Sequence, residues 1–294
     1  MAGPPISYPG AVTVTRTDRT NTELERSLHD VLVEMGPVIV ALSGGVDSAL
    51  LAVAAHRADT HRSSEVGATS LAVTASSASL ATGELDHCRS LADRYGFDWK
   101  SVHTDEMTDP RYIANDQDRC FWCKSALMDQ LEPLAEGRIV TLGVNLDDLG
   151  DHRPGQQAAA ERGARFPLVE AGFDKDAIRR LAHRWDLPVW DRPAMPCLSS
   201  RIPYGTAVTV PLLSRIDRAE AVLRELGFTD VRVRHYDDTA RIELPADQLA
   251  EAGAQAATIV DRLEPIGYRY ITLDLAGLRS GNLNHSVEPA HHGR

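Results

Sequence analysis

No stretch of the sequence carries enough consecutive apolar residues to span a bilayer, and the opening MAGPPISYPGAVTVTRTDRT lacks the basic-then-apolar order of a secretory signal. The expectation is a cytoplasmic protein with no membrane partner. Basic residues are the minority, 31 Lys and Arg against 42 Asp and Glu for a formal net charge of -11. That balance argues against broad attraction to a phosphate backbone, so no nucleic-acid partner is expected. Internal repeats, low-complexity tracts and long runs of one charge are missing too. Cysteine is scarce at four residues, which in a chain without an export signal reads as metal-binding or catalytic thiols rather than a disulfide framework. What remains is 294 residues of ordinary globular composition, enough for one large or two modest domains acting on a small molecule.

Alternating elements organise most of the chain. Residues 1–20 mix Pro, Gly, Thr and charge without a period and read as a flexible tail. Leu24, Leu28, Val31, Leu32 and Met35 then recur at helical spacing after a cap at Asn21 or Thr22. An apolar strand, Val38 to Leu42, leads through a glycine turn into an apolar helix from Val46 to Arg57. The rhythm repeats as strand Ser70 to Thr74, helix Thr82 to Tyr95, strand Trp99 to His103, helix Cys123 to Leu134 and strand Ile139 to Val144. Strands separated by helices predict an α/β domain, a parallel sheet with helices on both faces, over 21–190. Five prolines between Pro188 and Pro211 then break the pattern, so 191–210 reads as a linker that carries Cys197. A smaller α+β domain over 211–284 follows: helix Leu212 to Leu226, strands Val231 to His235 and Ala240 to Leu244, helix Ala246 to Leu263 and strand Tyr268 to Leu273, with 285–294 a second tail.

Ser43-Gly44-Gly45-Val46-Asp47-Ser48 stands between an apolar strand and an apolar helix. Glycines let the main chain bring its N–H groups close to an anion, and the helix N-terminus adds partial positive charge. Ser43 and Ser48 supply hydroxyls, and Asp47 can hold Mg2+ against the phosphates of ATP. No Walker-type Gly-Lys-Ser/Thr ending is present, which disfavours terminal phosphoryl transfer. This string resembles the SGGxDS loop of the ATP pyrophosphatases (the PP-loop, adenine nucleotide alpha hydrolase-like fold), and the resemblance implies transfer of AMP to a substrate oxygen with release of pyrophosphate. Gly143-Val144-Asn145-Leu146-Asp147-Asp148 ends the Ile139 to Val144 strand and is similar to GHxxDD-like motifs of the same group. Carboxylates at a strand end are placed to bind metal or accept protons, although Asp147-Asp148 alone reads equally as a solvated turn. Leu142 departs from the family, where an acidic residue more often precedes the glycine.

Cys120-Phe121-Trp122-Cys123 lies just before a predicted helix and Cys197 far beyond it. A lone CxxC is a redox pair or half of a zinc site, and no second pair completes a zinc set. Three thiolates suit a four-iron cluster that leaves one iron without a protein ligand. Cys88, inside the Thr82 to Tyr95 helix, reads as a small buried apolar residue. The segment Pro193-Ala194-Met195-Pro196-Cys197-Leu198-Ser199-Ser200-Arg201-Ile202-Pro203-Tyr204-Gly205 is similar to the PAxxCLxSRxPYG signature of LarE-type sulfur transferases, which serve assembly of a nickel-pincer nucleotide. Arg119-Cys120-Phe121-Trp122-Cys123-Lys124, Asp151-His152-Arg153-Pro154-Gly155 and Gly277-Leu278-Arg279-Ser280-Gly281-Asn282-Leu283-Asn284 extend the match, so it runs from about Val38 to Asn284.

The resemblance implies adenylation of the carboxylates of a pyridinium-3,5-dicarboxylate mononucleotide and their conversion to thiocarboxylates. Cys197 falls where some members sacrifice their own sulfur. With Cys120 and Cys123 added, the pattern matches members that hold a [4Fe-4S] cluster and deliver a cluster-bound sulfide, and that route is favoured here. Arg232 and Arg234 alternate on one strand and share a face, a natural clamp for a nucleotide phosphate, and by resemblance they fall on substrate-phosphate positions. Arg153, Glu220 and Glu243 fall on further positions of the substrate site, and Ser200 and Arg201 beside Cys197 are placed to orient the activated carboxylate. The family implies a homo-oligomer and a sulfide donor as partners. Three rivals remain: a tRNA thiolation enzyme, which the net charge disfavours; an amidotransferase-like ligase using ammonia, which would not need Cys120, Cys123 and Cys197 together; and a non-catalytic nucleotide-binding iron–sulfur sensor.

Overall fold

A computed structural model describes residues 20–60, 68–150 and 153–279. The chain divides into two compact units, the first formed by 1–77, 83–106 and 118–195 and the second by 78–82, 107–117 and 196–294.

In the first unit the elements run α1 (Asn21–Met35), β1 (Val38–Ala41), α2 (Val46–Thr60), β2 (Leu71–Ser76), α3 (Glu84–Tyr95) and β3 (Asp98–His103). After α4 (Pro110–Ile113), which belongs to the second unit, come α5 (Arg119–Ala135), β4 (Ile139–Leu142), α6 (Pro154–Glu161), α7 (Pro167–Ala171) and α8 (Lys175–Arg184). The four strands pair in parallel in the order β3-β2-β1-β4. Because successive strand residues face opposite ways, the sheet feeds two cores. Val38, Val40 and Ala72 pack with α1, α2, α7 and α8, whereas Ile39 and Val73 pack with Leu127, Met128 and Leu131 of α5 and Ala159 of α6. The parallel α/β architecture expected from the sequence is thus present.

Three local details differ from the sequence reading. Thr20, not Asn21 or Thr22, caps α1, because its hydroxyl accepts from the Glu23 amide while the Glu23 carboxylate returns to the Thr20 amide. Helix α5 starts at Arg119, which places Cys120 and Cys123 inside its first turns rather than before it. Helix α8 went unread although Ala177, Ile178, Leu181 and Ala182 bury one face and Asp174 caps it by accepting from the Ala177 amide.

The second unit contains α4, α9 (Val210–Glu225), β5 (Arg232–Tyr236), β6 (Thr239–Glu243), α10 (Leu249–Ala254), α11 (Ala256–Leu263) and β7 (Tyr270–Leu273). Its sheet has the order β5-β6-β7, the first pair antiparallel and the second parallel. The single helix expected over 246–263 is broken into a 3-10 turn and two short helices at Gln255. Val233, Ala240 and Ile242 face a core shared with Ala219 and Leu223 of α9 and Ile259 and Leu263 of α11. By alternation Arg232, Arg234, Arg241 and Glu243 take the other face. Leu198–Arg201, inside the stretch read as a linker, forms a 3-10 turn in which Leu198, Ser199 and Arg201 are buried, as is Ile202 after it. That turn is fastened by the two early segments of its own unit: Tyr112 Oη lies 2.6 Å from Ser199 Oγ, the Leu198 amide donates to Ser79 O at 2.9 Å, and Asn115 Nδ2 donates to Pro203 O and Thr206 O, both at 2.8 Å.

Candidate active site

Strands β2 and β4 flank β1 in the order β2-β1-β4, and ligands of open parallel sheets lie beyond the carboxyl ends of the strands where the order switches direction. The loop Ser43–Ser48 leaves β1 at that place. Gly44 takes φ +79°, a conformation that side chains disfavour. The Ser43 amide donates to Ser48 Oγ at 3.1 Å, Ser43 Oγ lies 3.1 Å from the same atom, and Ser48 Oγ donates to Gly45 O at 3.1 Å. Beside it, β4 exits through Gly143, where a Cβ would lie 2.7 Å from the Ser48 nitrogen and 2.9 Å from the Asp47 carbonyl carbon. Only a glycine permits that approach of the two loops.

Charge collects at the same end. Lys175 Nζ contacts Asp47 Oδ2 at 2.6 Å, while the other Asp47 oxygen is buried without a hydrogen-bond partner. Val46 is buried too. The Lys175 amide donates to Asp147 Oδ2 at 2.9 Å, the Asn145 amide donates to Asp148 Oδ2 at 3.1 Å, and Arg153 reaches Asp148 Oδ1 at 3.0 Å. Burial pushes the Asp148 carboxyl above its ordinary range, and the Asp47 charge acts the same way, against the opposing pull of the Asn145 amide, Arg153 and Lys175. An orphaned carboxylate oxygen in a crowded acidic site fits a hard divalent cation such as Mg2+. Asp151 and His152 of the Arg153 motif lie outside the described residues, as do Ser280 to Asn284 of the closing motif.

The sequence reading missed three residues here. Lys175 had no local signal, because its partner is far away in the chain. Arg192 and His87 also escaped: His87 Nε2 and Arg192 Nη1 each lie 3.3 Å from Gly44 O, and Arg192 Nη2 bonds Glu84 Oε1 at 2.5 Å.

In the second unit the other expected residues come together around two buried carboxylates. Glu220 accepts from Arg201 Nε at 2.8 Å, Arg224 Nη2 at 2.8 Å and the Val233 amide at 3.1 Å. Glu243 accepts from Arg234 Nε at 3.1 Å and Arg241 Nη2 at 3.0 Å. Arg201 Nη1 also grips the carbonyls of Pro196 and Cys197 and the Ser200 hydroxyl, and Arg234 Nη1 donates to Ser200 O at 2.6 Å. Arg201 thereby fixes the main chain at Cys197. Five guanidiniums, of Arg201, Arg224, Arg232, Arg234 and Arg241, face three carboxylates, Glu220, Glu243 and Asp274. Burial lowers the pKa of Arg232, and the neighbouring charges of Arg201 and Arg234 lower it further, against the opposing pull of Glu243 and Glu220.

Cys120 and Cys123 are one turn apart on α5, Cys120 exposed and Cys123 half-buried; none of the four cysteines forms a disulfide. Cys197, half-buried, precedes the 3-10 turn of the second unit. Among the described residues, no group of three His, Cys, Asp or Glu side chains is assembled to hold a metal ion. No described helix is long and apolar enough to cross a membrane.

A sequence profile of the asparagine synthase family matches residues 19–133, which include the β1–α2 loop. An uncharacterized protein of Synechocystis sp. is 43% identical over 88% of this chain and 96% of its own. The pyridinium-3,5-bisthiocarboxylic acid mononucleotide synthase of Lactiplantibacillus plantarum is 36% identical over 90% of this chain and 95% of its own. The chain belongs to the pyridinium-3,5-bisthiocarboxylic acid mononucleotide synthase family. As a member of that synthase family it is an ATP-dependent sulfur transferase, the class implied by the LarE-type resemblance. A looser likeness, at 15% identity and TM-score 0.48, links it to the NH3-dependent NAD synthetase of Campylobacter jejuni over 84% of this chain and 95% of that one.

Two histidines of the chain are expected to make its stability fall in acid. Burial lowers the pKa of His87, helped by Arg192 against Glu84 and the Gly44 carbonyl; burial also lowers that of His235, helped by Arg215 against Asp237. The unfolded chain therefore takes up protons first, and stability is lost as pH drops below about 6.5. Urea midpoints measured between pH 8 and pH 5.5 (~0.5-unit steps) should decline towards acid, and the double variant His87→Gln, His235→Gln should flatten the decline. An equal slope in both proteins would show that these rings do not cause it.

Proposed function

We propose that the chain activates a carboxylate of a pyridinium-3,5-dicarboxylate mononucleotide with ATP and replaces its oxygen with sulfur. One observation carries the reading: the β1–α2 loop closes on Gly143 with an unpartnered oxygen of Asp47 buried in the first turn of α2. The name of the 36%-identical relative supports the substrate.

In this reading Ser43, Gly44, Gly45, Val46 and Ser48 hold the two outer phosphates of ATP by main-chain N–H groups and hydroxyls. Asp47, with Asp147 and Asp148 nearby, holds the Mg2+ that draws charge from them. A carboxylate oxygen of the substrate attacks the α-phosphorus, the bond to the departing pyrophosphate breaks, and an acyl adenylate forms. Sulfur then attacks the carbonyl carbon and AMP leaves with the former carboxylate oxygen, which gives the thiocarboxylate. A free carboxylate would have to expel oxide; the adenylate expels a stable anion. Arg232 and Arg234 bind the substrate phosphate, with Arg153 and Glu243 completing the substrate contacts. Ser200 and Arg201 orient the activated group beside Cys197, and Glu220 holds Arg201.

Cys120, Cys123 and Cys197 would hold a [4Fe-4S] cluster, which when bound supplies sulfide from its open iron. The donor chemistry supports this, since all three are thiols outside disulfides and two share one helical turn. The alternative uses Cys197 once as the sulfur source.

The test is anaerobic purification with iron and sulfide analysis, followed by incubation with ATP, Mg2+ and the dicarboxylate nucleotide. Pyrophosphate and a thiocarboxylate product are expected. Cys120→Ser and Cys123→Ser should retain pyrophosphate release yet lose iron and repeated sulfur transfer. An iron-free wild-type protein converting about one carboxylate per chain, with Cys197 turned into dehydroalanine, would select the sacrificial route. ATP cleavage to ADP and phosphate would overturn the whole scheme.

A further inference from the structure

We propose that His87 and Arg192 are positioning residues for the phosphate loop, which they aim by gripping the Gly44 carbonyl from outside. The inference rests on reading Ser43–Ser48 as the cradle for the outer phosphates of ATP. No reacting group needs to touch either side chain.

The Gly44 carbonyl accepts from two directions, from the imidazole Nε2 of His87 and from Nη1 of Arg192. Both contacts are 3.3 Å, at the long end for a hydrogen bond. Glu84 holds Arg192 by a 2.5 Å bond, and Glu84 and His87 stand three residues apart on the first turn of α3, so one helical face carries His87 and the anchor of Arg192. The helix lies hard against the loop: a Cβ on Gly44 would meet His87 Cδ2 at 3.1 Å and Cys88 Sγ at 3.2 Å.

The geometry of a peptide turns this grip into aim. No peptide bond among the described residues is cis, and in a trans peptide the C=O and the following N–H point in opposite directions. Drawing the Gly44 carbonyl towards α3 therefore turns the Gly45 N–H away from it. Glycines on both sides of that peptide leave it free to rotate unless something holds it. The clamp supplies that restraint, and each donor also polarises the peptide so that its N–H is a better partner for an anion. Arg192 adds a positive charge behind the loop, moderated by Glu84.

Equilibrium binding of ATP, pyrophosphate and AMP to the full chain, with Mg2+ present, tests this in wild type, His87→Ala, His87→Gln, Arg192→Ala and Glu84→Gln. The alanine variants should weaken ATP and pyrophosphate about tenfold each and leave AMP within about twofold, because AMP lacks the outer phosphates. His87→Gln, whose amide can still donate, should recover most of the loss. Glu84→Gln should fall between wild type and Arg192→Ala. Equal weakening of all three ligands would mean general disruption and overturn the proposal, as would pyrophosphate binding unchanged in both alanine variants. Wild type that binds neither ATP nor pyrophosphate would instead sink the cradle reading itself, before the clamp comes into question.

Discussion

Glu220→Ala is expected to cost about 3–5 kcal/mol of folding stability, because it removes the partner of a fully buried guanidinium. Arg201 and Glu220 both have no exposed side-chain surface. Without the carboxylate, Arg201 keeps only main-chain carbonyls and the Ser200 hydroxyl, the Val233 amide loses its acceptor, and Arg224 and Arg232 lose a counter-charge. Arg201→Met should cost less, since Glu220 keeps Arg224 and the Val233 amide. The double variant Arg201→Met, Glu220→Met should be more stable than the sum of the two single losses predicts, because neither charge is left stranded. Urea unfolding of the three proteins measures this. A loss below about 1 kcal/mol for Glu220→Ala would show that the site hydrates or collapses without penalty. The same variants should loosen the main chain at Cys197, whose carbonyl Arg201 holds at 3.2 Å.

Gly143→Ala is expected to reduce ATP-dependent pyrophosphate release by about a hundredfold or more, with a stability cost of about 1–3 kcal/mol from overpacking. The added methyl would meet main-chain atoms, the Ser48 nitrogen at 2.7 Å and the Ser48 Cα at 2.9 Å, which cannot rotate aside as a side chain would. The loop must move, and with it the donors it presents. Gly253→Ala is the matched control: it lies in α10 with nothing within 4 Å of the new methyl, so it should leave activity intact and stability level or slightly higher. Activity of Gly143→Ala within about threefold of wild type would mean that the approach of the β4 exit to the loop plays no part in catalysis.

Local pattern carried much of this into the sequence. The apolar runs at Val38 and Ile139, the glycine turn at Ser43 and the helix behind it are each set by residues within a few positions, so strand, loop and parallel sheet could be read directly. Arg232 and Arg234 were likewise legible as neighbours on one strand face. Their burial was not: it depends on the register that places Arg232 opposite Glu243 and Arg234 opposite Arg241, and on the packing of the preceding helix, α9, that brings Glu220. The same holds for Lys175 on Asp47 and for Arg192 on Gly44, pairs more than a hundred residues apart in sequence with no periodicity to announce them. The cap at Thr20 is different, since Thr20 followed by Glu23 is a readable signal that the irregular tail before it obscured.

Because the second unit borrows 78–82 and 107–117 from within the first half of the chain, a fragment begun at residue 196 would be an incomplete body. It would lack the Tyr112 hydroxyl beside Ser199 and the Asn115 amide that stitches Pro203 to Thr206, and would open hydrophobic and polar surface at its own centre. Because each unit is built from separate stretches of sequence, gene fusion, limited proteolysis and domain exchange with this chain must treat the polypeptide as interleaved rather than tandem.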